Sequence, residues 1–135
     1  MIIPVPRDVE ADVIEALRGF GVDASTIVPA EAEAGTIRVS RTGGDLTASN
    51  QRDAPEMLVE VWERDSVSSF DAAVRVYAAL WACAQDGEIL PGVAIHRLEI
   101  MPPRAYDDPN RRDLYRTTFT FTYITDLTTL EFNNG

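Results

Sequence analysis

Thr36-Ile37-Arg38-Val39-Ser40-Arg41, a break at Gly43-Gly44-Asp45, Leu58-Val59-Glu60-Val61-Trp62-Glu63, then Ser68-Ser69-Phe70-Asp71 opening an apolar run to Asp86: this stretch decides the fold. The first segment alternates apolar with polar, which puts Ile37 and Val39 on one face of a strand. The glycine pair ends it. The next segment carries the β-branched and aromatic types that fit a pleated surface. Ser68 to Asp71 has capping-box spacing, with the Ser68 hydroxyl expected to cap a helix over 68–85. Behind it Phe70, Ala73, Val74, Tyr77, Leu80, Trp81 and Ala84 recur at three- and four-residue steps, the stripe of a helix lying on a sheet. These residues define a fold class and no chemistry.

Working outward, Asp8 is placed to cap a helix whose stripe is Val9, Val13, Ala16, Leu17 and Phe20. Glu10, Asp12, Glu15 and Arg18 are expected on its wet side, and Gly19 and Gly21 stop it. Residues 2–6 read as an extended arm held by Pro4 and Pro6. Residues 22–35 read as loop, with Ile27 and Val28 extended. The connection 42–56 exceeds what a hairpin needs, and Leu46 is expected to anchor its start in the core. A strand over 57–64 follows it. From Val93 to Met101 the pattern slips, with Val93 and Ile95 on one face and Leu98 and Ile100 on the other, which predicts a bulge near His96-Arg97. Pro102 to Asp113 is a second polar excursion. Leu114 to Tyr123 is the clearest strand, with Tyr115, Phe119, Phe121 and Tyr123 on one side. The order α-β-β-α-β-β predicts a small α+β domain of two layers: one mostly antiparallel sheet of four or more strands, packed by two helices. Residues 1–123 form that domain, and 124–135 read as a loosely held tail.

One domain suits 135 residues. Twenty-two acidic residues against twelve basic ones give a net charge of −10, which speaks against a free-standing nucleic-acid binder. Every basic residue is an arginine. The single cysteine, Cys83, excludes an internal disulfide and a cysteine metal cluster, and it reads as a buried small hydrophobe. The opening Met-Ile-Ile-Pro-Val-Pro lacks signal-peptide character, and no stretch approaches a membrane span, so a reducing cytoplasm is expected. His96 is the only histidine, and it has no nucleophile and orienting acid to complete a triad. Gly43-Gly44 lacks the lysine and helix start of a phosphate loop. Asp107-Asp108-Pro109-Asn110 lacks the ligand alternation of a calcium loop and reads as a solvated turn. Glu60 and Glu63 read as a solvated face; Trp62, Trp81 and Tyr77 read as core or interface. No catalytic, cofactor or metal residues are expected. Long loops on an acidic globule suit assembly better than turnover.

The order of motifs resembles a known family. An Ile-Pro-Val-Pro lead enters a helix (Ile2 to Leu17), followed by Arg-Val-x-Arg-x-Gly-Gly at Arg38 to Gly44 and Arg-Asp-x-Pro at Arg52 to Pro55. Val-Glu-Val-Trp at Val59 to Trp62, an alanine-rich helix, Gly92-Val93 and Tyr-Arg-x-Thr-Phe-Thr at Tyr115 to Thr120 complete the set. In this the chain is similar to tail terminator (head-tail joining, minor tail) proteins of long-tailed phages infecting actinobacteria. The likeness covers residues 1 to about 123 and rests on the order of individually weak motifs. It implies a non-enzymatic virion protein, made in the host cytoplasm, that closes into a homo-hexameric ring on the finished tail tube. Its partners would be other copies of itself, the major tail tube protein and the head-tail connector. Genomic DNA would pass through the ring unread, and a carboxylate-lined bore would repel it. No membrane is involved. Subunit contacts are expected at the loop edges, from Arg41, Gly43, Gly44, Arg52, Asp53, Arg104, Arg111 and Arg112. The alternatives are another neck or head-completion protein, or a small host-directed adaptor that binds a bacterial protein.

Overall fold

The computed structural model describes residues 1–29 and 31–133. The elements in chain order are β1 (Ile2–Val5), α1 (Val9–Gly19), β2 (Ile37–Gly43), β3 (Arg52–Asp53), β4 (Glu56–Glu63) and α2 (Ser66–Asp86). They continue with β5 (Glu88–Leu90), β6 (Val93–Ala94), β7 (Arg97–Ile100), β8 (Arg104–Ala105), β9 (Tyr115–Asp126) and β10 (Thr128–Glu131). The two-helix α+β class with an antiparallel sheet holds. The order is longer than α-β-β-α-β-β, because six short strands join the four long-range ones.

β9 is the axis of the main sheet. On one side it pairs with β4 from Tyr115 to Thr122 and, past a break at Ala54-Pro55, with β3. On its other side lie β8 and β7. β2 closes the far edge by pairing with β4, with a register shift between Arg41 and Gly43. Period-two alternation turns Thr117, Phe119, Phe121, Tyr123 and Thr125 toward the helices, and all five are buried. Met57, Val59 and Val61 of β4 join them, together with Val13 and Leu17 of α1 and Val76 and Leu80 of α2. Behind the sheet a second small core of Ala32, Trp62 and Leu114 holds the loops that flank β4 and β9.

α1 starts at Asp8, whose carboxylate accepts from the Ala11 amide at 3.1 Å. α2 is capped one turn earlier than the capping-box reading placed it. Asp65 accepts from both the amide and the hydroxyl of Ser68, at 2.8 and 2.9 Å, so Ser68 donates to the cap and is not the cap. Gly87, at φ 74°, ends the helix in the left-handed conformation. The buried side of α2 is Ser69, Ala73, Val76, Ala79, Leu80 and Cys83. Phe70, Val74 and Trp81 therefore lie outside the contact that the periodicity assigned them.

Two further expectations are corrected, at 93–101 and at Leu46, and two segments gain pairings that the sequence did not show. Segment 93–101 is not one bulged strand: it makes a short hairpin with β5 and then crosses to β9, the His96 amide donating to the Ile124 carbonyl at 2.8 Å. Leu46 is partly exposed and bridges Asp53 through backbone, without entering the core. The edge contact beside β2 comes from Ser25, ahead of Ile27 and Val28. The arm at 2–6 and the tail after 126 pair with each other, Ile2 opposite Glu131 through Val5 opposite Thr128. Asn134 and Gly135, at the end of that tail, lie outside the described residues.

Candidate interaction surfaces

The expected contact residues fall into three groups. Arg41, Gly43, Gly44 and Asp53 come together inside this chain. The Arg41 guanidinium makes a bidentate pair with the fully buried Asp53 carboxylate, at 2.7 and 2.9 Å, and donates to the Gly43 and Gly44 carbonyls at 3.0 Å each. In place of a neighbour's carboxylate, Arg41 holds its own loop. The Asp53 partner raises the Arg41 pKa further. Glu10 of α1 accepts from the Arg41 amide at 2.9 Å, tying the helix to the sheet edge. The Tyr123 hydroxyl is buried nearby without a hydrogen-bond partner, its pKa pushed up by burial first and by the Asp12 and Asp53 charges second.

The second group is half committed. Arg52 sits 3.4 Å from Asp126, which also takes a 2.8 Å hydrogen bond from His96. That bond, more than Arg52, holds the Asp126 carboxyl below its ordinary range. The lone histidine thus serves a surface clamp at the end of β9. Arg111 reaches back to the Ala32 carbonyl and pairs with Asp113, whose carboxyl it lowers. Arg104 and Arg112 form the third group: both are exposed, and neither has an ion-pair partner among the described residues.

Two carboxylates expected in water are buried. Asp12 is held bidentately by Arg7 at 2.8 and 3.1 Å. Glu60 lies on the rear of the sheet between Arg38 and Arg116, at 3.5 and 3.2 Å. Arg116 is also sandwiched against the Trp62 and Tyr106 rings, with centroids at 5.9 and 5.3 Å. Asp108 is not merely solvated. It accepts from the Asn110 amide and the Trp62 indole, both at 2.9 Å, and its pKa is lowered for those reasons in that order. Cys83 is buried as expected, and desolvation pushes its thiol up.

What sequence reasoning missed are two apolar faces left in water. On α2, Val67, Phe70, Val74 and Trp81 form an exposed line along one flank. Beside it Tyr77 packs edge-on against Phe119 at 5.9 Å, so this flank looks out over β9 toward β7. The apolar sector of α2 is wider than one sheet contact requires. The second face belongs to the β1–β10 ribbon. Met1, Ile3 and Val5 stand opposite Phe132, Leu130 and Thr128 on a single side, with Ile2, Pro4, Thr129 and Glu131 on the other. Among the described residues, neither β1 nor β10 packs against any other helix or strand. The signal for the ribbon was present as two short apolar runs far apart in the chain, but nothing local pairs them.

No group of three or more His, Cys, Asp or Glu side chains suited to a metal occurs among the described residues, and no helix there is long and apolar enough to cross a membrane. No family model matches the chain, and no curated protein sequence matches it.

Proposed function

We propose that this chain is a non-enzymatic assembly subunit that caps a phage tail tube as a ring of identical copies. In that role it ends tube polymerisation and presents the joint to the head connector. The observation that carries the reading is the division of its surface. The buried carboxylates Asp12, Asp53 and Glu60 are each held by an arginine of the same chain, while two apolar faces stay uncovered. A chain that satisfies its buried charges internally and exposes apolar faces is equipped to meet other surfaces. The motif order at Arg38–Gly44, Arg52–Pro55 and Tyr115–Thr120 supports the choice of assembly, and the two-helix α+β class with a mostly antiparallel sheet is compatible with it.

In this reading the major tail tube protein meets one side of the ring and the head connector the other, within the virion. The net charge of −10 per chain keeps passing DNA from adhering to the bore. Arg104 and Arg112, exposed on the β8 side, are the cations placed to meet a partner's carboxylates. The decisive experiment is deletion of the gene, followed by electron microscopy of the lysate. Overlong tails detached from heads, restored to normal length by the purified chain, are expected. Normal particles would overturn the reading in favour of a host-directed adaptor.

A further inference from the structure

The two uncovered apolar faces sit on different parts of the same molecule, and their edges say how they are used. The Met1 and Phe132 backbones exchange both hydrogen bonds, at 2.7 and 3.2 Å, which makes theirs a hydrogen-bonded pair. Alternation then points the amides of residues 3 and 5 inward and those of residues 2 and 4 outward. Residue 4 is proline, so the outer edge of β1 lacks a donor at its centre. The outer edge of β10 carries Glu131, a charge that discourages strand addition. With both edges blunted, the face is what remains for contact. An isolated two-stranded ribbon with a bare apolar face is marginally stable in water and gains order from a cover.

The other face has the same need. Leu98 and Ile100 stand opposite Tyr123 and Phe121 on the helix side of β7, where only α2 approaches. α2 reaches β7 and β8, and Leu98 and Ile100 are partly buried against the core beside it, so the outer flank of α2 borders that edge of the sheet. We infer that the apolar face of the β1–β10 ribbon seats on the outer flank of α2 of a second copy, head to tail. Ribbon against ribbon would leave the helix flank bare, and flank against flank would leave the ribbon bare. A ribbon-on-flank contact covers both faces with one kind of contact, and repeated in one direction around a ring it does so on every copy.

The make-up of the faces agrees with this. Each face presents four large apolar side chains that are 36–70% exposed, Val67, Phe70, Val74 and Trp81 on the helix and Met1, Ile3, Leu130 and Phe132 on the ribbon. One ribbon on one flank is smaller than the ~1,200 Å² at the low end of stable interfaces. A single contact is thus weak, and closure of the series holds each copy from two sides. Charge does not oppose the contact locally. The ribbon strands carry only Glu131, and the helix from 66 to 86 carries Asp71, Arg75 and Asp86. This inference rests on the self-assembling reading above and names the surfaces it uses.

The test uses cysteine pairs, since buried Cys83 does not compete. Val74→Cys chains and Leu130→Cys chains are oxidised separately and mixed, at high concentration and raised salt. A disulfide dimer in the mixture, with neither variant dimerising alone, is expected. Complementation gives a second readout. Trp81→Glu and Phe132→Glu chains, both altered at exposed positions, should each lose self-association in sedimentation. Mixed, they should form a heterodimer and nothing larger, because one intact ribbon and one intact flank remain. Self-crosslinking of either single variant, or an intrachain disulfide in the double variant, would overturn the inference. So would self-association without any 74–130 disulfide, and that result would leave the ring reading standing on another contact. Normal tails in the deletion experiment would instead remove the ring reading itself.

Discussion

At Gly44 the backbone takes φ +85°, and a Cβ there would run into the Ala54 carbonyl oxygen and the Glu56 amide. Its neighbour Gly43 has ordinary φ, and a Cβ there would meet only a Glu56 carboxylate oxygen at 3.7 Å. Gly44→Ala should therefore destabilise the fold by about 2–3 kcal/mol, and Gly43→Ala by less than ~1 kcal/mol. Equal shifts in denaturant midpoint would refute this account of the loop. Arg41 and Asp53 share the same loop. Asp53→Asn leaves the guanidinium without its bidentate acceptor and is expected to cost about 3 kcal/mol. That is the low end for a broken buried pair, because the Arg41 side chain keeps 28% of its surface in water. Tyr123 behaves differently. Its hydroxyl is buried without a protein partner, so Tyr123→Phe should change stability by no more than ~1 kcal/mol at neutral pH. The sign at high pH follows from linkage. The folded chain holds this phenol neutral above its ordinary pKa, so it supports folding below about pH 10 and that support is lost as pH rises further. Tyr123→Phe should retain alkaline stability that the parent chain loses, as thermal melts across that range would reveal.

Among the elements, β9 and the ribbon that follows it should behave as separate units. β9 is paired along both sides and buried on its inner face, whereas β1 and β10 touch only each other. Amide exchange in the ribbon should be faster than in β4 and β9 by orders of magnitude, and assembly should slow it. Ribbon amides as protected as those of Phe119 in the isolated chain would contradict that. At the base of the ribbon, His96 and Arg52 converge on Asp126. Its lowered carboxyl pKa makes the contribution present above the ordinary carboxyl range and lost as pH falls through the folded value. Asp126→Asn should therefore flatten part of the decline in melting temperature between about pH 5 and pH 2, a modest effect at so exposed a site. The α2 cap is likewise local. Asp65→Ala, which removes both Ser68 contacts, should lower the melting temperature by about 2–4 °C.

For the whole molecule, the net charge and the apolar faces pull in opposite directions. Ten excess negative charges per chain oppose association at low ionic strength, while the proposed contact surfaces are nearly neutral. Self-association measured by sedimentation should strengthen as salt rises from about 0.05 to about 0.5 M, because screening shortens the repulsion without touching apolar burial. Weakening over that range would mean that ion pairs hold the copies together, and Arg104 and Arg112 would become the residues to replace first.

The sequence by itself determined whatever depends on neighbours in the chain. The two helices follow from their three- and four-residue apolar steps, and the long strands follow from alternation at Ile37–Val39 and Phe119–Tyr123. Buried Cys83 was legible for the same reason, since side-chain chemistry and local pattern suffice. Tertiary structure decided the rest. The 3.6-residue period shows that α2 has an apolar side but not how much of it a sheet will cover, so Phe70 and Trp81 lie on the same stripe as Ala73 and Leu80 yet stand largely in water. Arg41 and Asp53, twelve positions apart, meet only because a bulged strand and a glycine turn fold the loop back on itself. The pairing of residues 2–5 with 128–131 has no local signal at all. It exists because the folded domain brings distant segments side by side, where backbone hydrogen bonding takes over.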